Sequence, residues 1–139
     1  MQRGRHDKKE QDEKQRIENE RREKTNEFER CFLGSLLSYT LNEIPQLKIQ
    51  AKHFYSNNHR LIFQSYCKLL ENGIKPDILI MTKDTALREI GPSYIASLTD
   101  IIPSAANIEN YEKEIIKAWQ ARTAKAATLM DYTPAGKQS

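Results

Sequence analysis

The stretch SNNHRLIFQSYCKLLENG, residues 56–73, constrains the fold more than any other. It reads as a helix with both ends written in. Ser56 offers a side-chain oxygen to the first free N–H groups, and Gly73 stands where a helix closes on a left-handed residue. Between them His59, Ile62, Phe63, Tyr66, Cys67 and Leu70 recur at helical spacing, with Arg60, Gln64, Lys68 and Glu71 on the opposite side. A chain with one such face must cover it, and the other apolar runs share the period. In EFERCFLGSLLSYTLNEI, residues 27–44, Phe28, Phe32, Leu33, Leu36 and Leu37 fall on one side. Gly34 inside that run costs about 1 kcal/mol relative to Ala, which points to a close helix contact. No stretch alternates with period two. The expected class is all-α: a compact multi-helix head followed by a long projecting C-terminal helix, with roughly six or seven helices in all.

The remaining elements are set by punctuation. A short helix over roughly 40–46 stops around Pro45. Asp77 caps a helix from Ile78 to Ile90, which Gly91 ends, and Pro92 opens another short helix. In IIPSAANIENY, residues 101–111, Pro103 breaks the chain and Ser104 or Asn107 caps the next helix. That outgoing helix runs from about Asn107 to Met130, or ~36 Å. Its first half carries a stripe of Ile108, Tyr111, Ile115 and Trp119, and its second half is alanine-rich. So small a domain cannot cover the whole helix, so its far end is expected to project and seek a partner. The candidate protein-interaction residues are Ile108, Tyr111, Ile115, Trp119 and Arg122. The competing reading is that the stripe packs on the head, above all at Ile108 and Tyr111.

Polarity is concentrated at the front. Residues 1–26 contain only Met1 and Ile17 as apolar residues, with nine Lys/Arg against seven Asp/Glu. The pairs Glu10–Lys14, Asp12–Arg16, Glu18–Arg22 and Glu20–Lys24 place acid before base at i,i+4, each worth roughly 0.2–0.5 kcal/mol to a helix. With no apolar stripe to hold it on a body, this tail is expected to be a solvated helix or disordered. Its mixed signs argue against a nucleic-acid arm. The division expected is residues 1–26 as charged tail, 27–131 as helical domain and 132–139 as disordered tail. Net charge over all 139 residues is only +3, too little to declare a phosphate-binding surface.

Catalytic chemistry is not legible. Cys31 and Cys67 form no C-x-x-C pattern, and no run approaches the roughly 18 apolar residues of a membrane span. They read as reduced thiols in a cytoplasmic protein. AGKQS at residues 135–139 lacks the earlier glycine and following helix of a phosphate loop. His53, His59 and Cys67 match no zinc spacing, so no metal is expected. Asp77 and Asp84 read as a cap and a solvated residue rather than a catalytic pair.

Four stretches in order carry a resemblance: ERCFLGSLL (29–37), HFYSNNHRLIFQSYCKLLENG (53–73), KPDILIM (75–81) and YIASLTDIIPSAANIENYEKEI (94–115). The set is similar to the N-terminal domain of replicative DnaB-type DNA helicases, over about residues 27–125. The chain departs from that pattern in a trimmed LREIGPSYI segment, in a tail with no counterpart, and in lacking the family's ATPase domain. The resemblance implies a non-catalytic head with a helical hairpin, whose first arm corresponds to the helix from Asn107. In that family the hairpins pair and build a collar over a hexameric motor, and the domain receives primase and bears on loader interactions. It implies self-association as a dimer or collar, weakened here because residues after Pro134 are too few for a second arm. DNA is expected to be touched only indirectly, with no membrane contact. ATP and Mg belong to the ATPase domain of a parent that unwinds DNA. The alternative is a separate adaptor, or a primase-like helicase-interacting domain that binds the helicase; the charged lead-in suits a linker.

Overall fold

The computed structural model describes residues 2–39, 43–100 and 107–131, with side chains between residues 8 and 126 of these. Among the described residues there are five α-helices and no strand. They are α1 (Gln2–Ser38), α2 (Asn57–Glu71), α3 (Ile78–Met81), α4 (Pro92–Asp100) and α5 (Ile108–Asp131). The Pro103 corner and residues 40–42 lie outside the described residues.

The punctuation around α2 acts as its residue types require. Ser56 accepts from the His59 N–H at 3.4 Å. At the other end Gly73 has φ +71°. The Ile74 N–H reaches the Leu69 carbonyl at 2.8 Å and the Gly73 N–H that of Leu70 at 2.9 Å. These crossed bonds satisfy the last carbonyls of the helix. His59, Ile62, Phe63 and Tyr66 are buried, as their spacing predicts.

The helix expected from Ile78 to Ile90 is broken. Asp77 caps α3 through the Ile80 N–H at 2.8 Å. Asp84 then accepts from the Ala86 N–H at 2.9 Å and starts a 3-10 turn at Thr85–Leu87. Met81 and Leu87 are both buried, yet six residues of α-helix would turn them to different sides. The break brings both inward, and Asp84 is the local competitor that permits it. Pro92 opens α4 directly after Gly91, at φ +87°. Nor do residues 44–50 continue the short helix expected over roughly 40–46; they are irregular chain. Pro45 removes an N–H and biases its neighbour toward extended backbone.

The head closes around Phe32, Phe54 and Phe63, whose ring centroids lie 5.1–6.2 Å apart. Leu33 and Leu36 of α1, Ile62 of α2, Ile95 and Leu98 of α4, and Ile108 and Ile115 of α5 complete the core. Each such side chain contributes about 1.5–3 kcal/mol on burial.

Of the two states expected for the charged tail, the structure shows the helix. No break stands at residue 26. One helix of 37 residues, about 55 Å long, carries the charged lead-in straight into the core run. Its composition predicts nothing to hold this segment, but it is continuous with a buried helix and packs beside α5. Because α1 enters the core at its C-terminal end and α5 leaves it from its N-terminal end, the two run antiparallel. The long C-terminal helix therefore has a companion.

Candidate functional site

The site is built on the irregular corner of residues 48–56, which α1, α2 and α5 grip from three sides. Buried irregular backbone must find partners for its polar groups, and here side chains supply most of them. Glu112 of α5 accepts from the Lys48 and Ile49 N–H groups at 2.6 and 2.9 Å. His53 Nδ1 accepts from the Gln50 N–H at 2.9 Å. Glu29 of α1, fully buried, accepts from the Tyr55 and Ser56 N–H groups at 2.5 and 3.2 Å. Arg122 of α5 donates to the His53 carbonyl at 3.0 Å, and Arg60 of α2 to that of Phe54 at 3.1 Å.

Glu29 also ties the helices together. Its Oε1 lies 2.8 Å from His59 Nδ1, and His59 Nε2 lies 2.6 Å from the Tyr94 hydroxyl. With Glu29 a carboxylate, Nδ1–H donates to it and the Tyr94 O–H donates to Nε2. The chain Glu29–His59–Tyr94 thus links α1, α2 and α4. By spacing alone His59 is one member of an apolar face, and Glu29 stands only as part of a motif. In the fold these residues form a buried polar tie.

On the outer side, α5 is bracketed to the corner. The Trp119 ring meets His53 edge-on at 4.7 Å and 84°, and Lys52 Nζ lies 5.1 Å from the Trp119 ring centre. The Arg122 guanidinium stands 5.1 Å over the Tyr55 ring. Burial, with Lys52 and Arg122 nearby, pushes the His53 imidazole below its ordinary range.

These contacts place the five candidate interaction residues. Ile108 and Ile115 are buried in the core of the chain itself and present no surface. At these two positions the stripe packs on the head, the competing reading of the sequence, and neither is available as an interaction residue. Tyr111 is half-buried, its ring 6.5 Å from that of Phe28. Trp119 rests on His53. Of the five, Arg122 alone lines the open space beside the stripe.

That space is a groove of about 470 Å³ between α1 and α5. Phe28, Tyr55, Ala118 and Ala121 give it an apolar floor. Arg21, Arg22 and Lys24 stand on the α1 wall, and Lys117, Arg122 and Lys125 on the α5 wall. Two carboxylates, Glu18 and Glu114, oppose these six cations, and Glu18 already lies 3.9 Å from Arg22. The alanine-rich half of α5 is legible in the sequence, but the wall that faces it is not.

The groups with intrinsic reactivity are muted. Burial pushes the Cys31 and Cys67 thiols up, which disfavours the nucleophilic thiolate. Burial likewise raises the Tyr94 hydroxyl. Among the described residues no three His, Cys, Asp or Glu side chains stand where they could share a metal ion, and no helix is long and apolar enough to cross a membrane.

The fold and sequence are similar to those of known proteins. The DnaB-like helicase N-terminal domain family matches residues 21–117. The replicative DNA helicase DnaB of Treponema pallidum is 37% identical over 103 residues, covering 70% of this chain and 24% of the helicase. That of Geobacillus stearothermophilus is 30% identical over 118 residues, covering 77% of this chain and 26% of the helicase. The chain thus spans about a quarter of the length of these relatives. The crystal structure of the N-terminal domain of DnaB helicase from Mycobacterium tuberculosis superposes with a TM-score of 0.64 at 21% identity, covering 80% of this chain and 86% of that one. From residue 21 to residue 117, through the tie, the corner and the start of the groove, the chain belongs to the DnaB-like helicase N-terminal domain family.

Proposed function

We propose that this chain is an assembly and partner-docking module of a replicative DNA helicase, acting in DNA replication and carrying no catalytic centre of its own. Its relatives are replicative DNA helicases, of which it spans about a quarter. ATP and Mg, in this reading, serve an ATPase domain outside this chain. The partners are further copies of the domain, as a dimer or a collar, and a primase or a helicase loader. DNA is met through them, in the cytoplasm.

One observation carries the docking part. Antiparallel α1 and α5 hold open a groove with an apolar floor and charged walls, a surface suited to protein rather than substrate. A second reading, an adaptor that binds a helicase from outside, draws on the charged lead-in. That segment is continuous with the head and occupies one flank of α5.

Light scattering over a concentration series tests both. A mass that rises above 16.2 kDa with concentration is expected of an assembly module. A monomer that co-migrates with the DnaB helicase of Treponema pallidum supports the adaptor. A monomer that binds neither itself nor a helicase contradicts both.

A further inference from the structure

We propose that the groove between α1 and α5 receives a single amphipathic helix of a partner protein, about three turns long, apolar on one face and acidic along its flanks. The proposal rests on the docking reading above and names the chemistry of the partner.

The dimensions set the length. The α1 wall runs from Glu18 to Phe28, about 16 Å of helix, or three turns. The floor sets the occupant's inner face. Ala118 and Ala121 lie one turn apart and let a backbone come close, while Phe28 and Tyr55 offer aromatic surface to apolar side chains at i, i+3 or i+4 and i+7. Arg122 stands over the Tyr55 ring, yet Tyr55 is still 40% exposed, so part of this surface is open to an occupant.

The walls set the charge. Arg122 is held by the His53 carbonyl and the Tyr55 ring, and Arg22 has Glu18 nearby. Arg21, Lys24, Lys117 and Lys125 remain as flanking cations, with Glu114 as the remaining carboxylate. Complementarity then calls for Asp or Glu on both flanks of the incoming helix.

Two other occupants fit less well. A second copy would offer the outward face of α1, where Glu20, Glu23 and Glu27 are exposed. Ile17, one turn before Glu20, is the large apolar side chain exposed on α1, and one isoleucine does not fill a floor three turns long. A nucleic-acid duplex would meet the cations and leave the apolar floor uncovered.

The test uses the full chain and a displayed library of 15-residue helical peptides. Selected peptides are measured by fluorescence anisotropy against the wild type, Ala118→Arg, Lys117→Glu/Lys125→Glu, and Lys83→Glu as a distant control, each checked for native helicity. The expected result is enrichment of apolar residues at helical spacing with acidic flanks. Binding should weaken about tenfold or more in the first two variants and stay unchanged in the control. No enrichment, peptides without acid, or binding that survives Ala118→Arg overturns the proposal. So does a duplex DNA that competes the peptide off the groove. Light scattering of Ala118→Arg separates the remaining case. If that variant abolishes self-association, the occupant is a second copy and the proposal falls. If self-association persists while no peptide binds, the groove proposal fails and the assembly reading stands.

Discussion

In the head, α2 is held by a capping serine, a closing glycine and a face of buried aromatic carbon. In the outer half of α1 the same backbone pattern is held by its own hydrogen bonds and by surface charge pairs. Arg16 pairs with Glu13, and Arg22 lies 3.9 Å from Glu18. Exposed pairs of this kind contribute little. The head persists through the surface it buries; the outer half of α1 persists because it is joined to the head and lies beside α5. A partner that meets the groove would therefore find one end anchored in the buried head, at Tyr55 and Phe28, and the other held only by the α1–α5 pairing, at Glu18 and Lys125.

The sharpest way to break this contrast is to hollow the head. Phe32→Ala removes a ring from the aromatic cluster and should cost about 3–5 kcal/mol, read by urea denaturation. A loss below about 1 kcal/mol would mean the cluster is not the stabilising centre. Glu29→Ala comes next. It strands the Tyr55 and Ser56 N–H groups and the His59 ring, and should cost about 2–4 kcal/mol. A double-mutant cycle with His59→Ala should show coupling between the two positions, and strict additivity would contradict the tie.

The third effect is a pH slope. The folded chain holds His53 below its ordinary value of 6.5 by burial and by the nearby Lys52 and Arg122. Protons therefore bind the unfolded chain first. The stability this gives is complete above pH 6.5 and is lost as pH falls from there toward the folded value. Between about pH 7.5 and 5.5, urea midpoints should fall further for the wild type than for His53→Gln. Equal slopes would remove His53 from the account. The smallest effect belongs to the outer helix: deleting residues 1–17 should change head stability by about 1 kcal/mol or less. A larger loss would show that the lead-in carries core energy after all.

The parts legible in the sequence were local. Ser56, Gly73, Asp77, Gly91 and Pro92 act within four residues of where they stand, and their chemistry announces it. The helical class and the buried face of α2 came from spacing alone. The hidden parts depend on distant partners. Glu112 meets Lys48 from 64 positions away and Glu29 meets His59 from 30, so neither carboxylate signals its role in its own neighbourhood. The groove joins two segments from opposite ends of the chain, and the stripe at Ile108 and Ile115 could not reveal which element would cover it. One signal was available. No glycine or proline stands between Gly4 and Gly34, so nothing in the sequence ends the helix at residue 26.

The central claim is that the charged half of α1 lies beside α5 in a fixed antiparallel pair. Spin labels at Glu20→Cys and Gln120→Cys, with Cys31 and Cys67 replaced by Ala, test it by pulsed dipolar spectroscopy. One narrow distance distribution is predicted, unchanged on dilution. A broad distribution reaching the separations of an unattached helix would contradict the claim, and with it the groove.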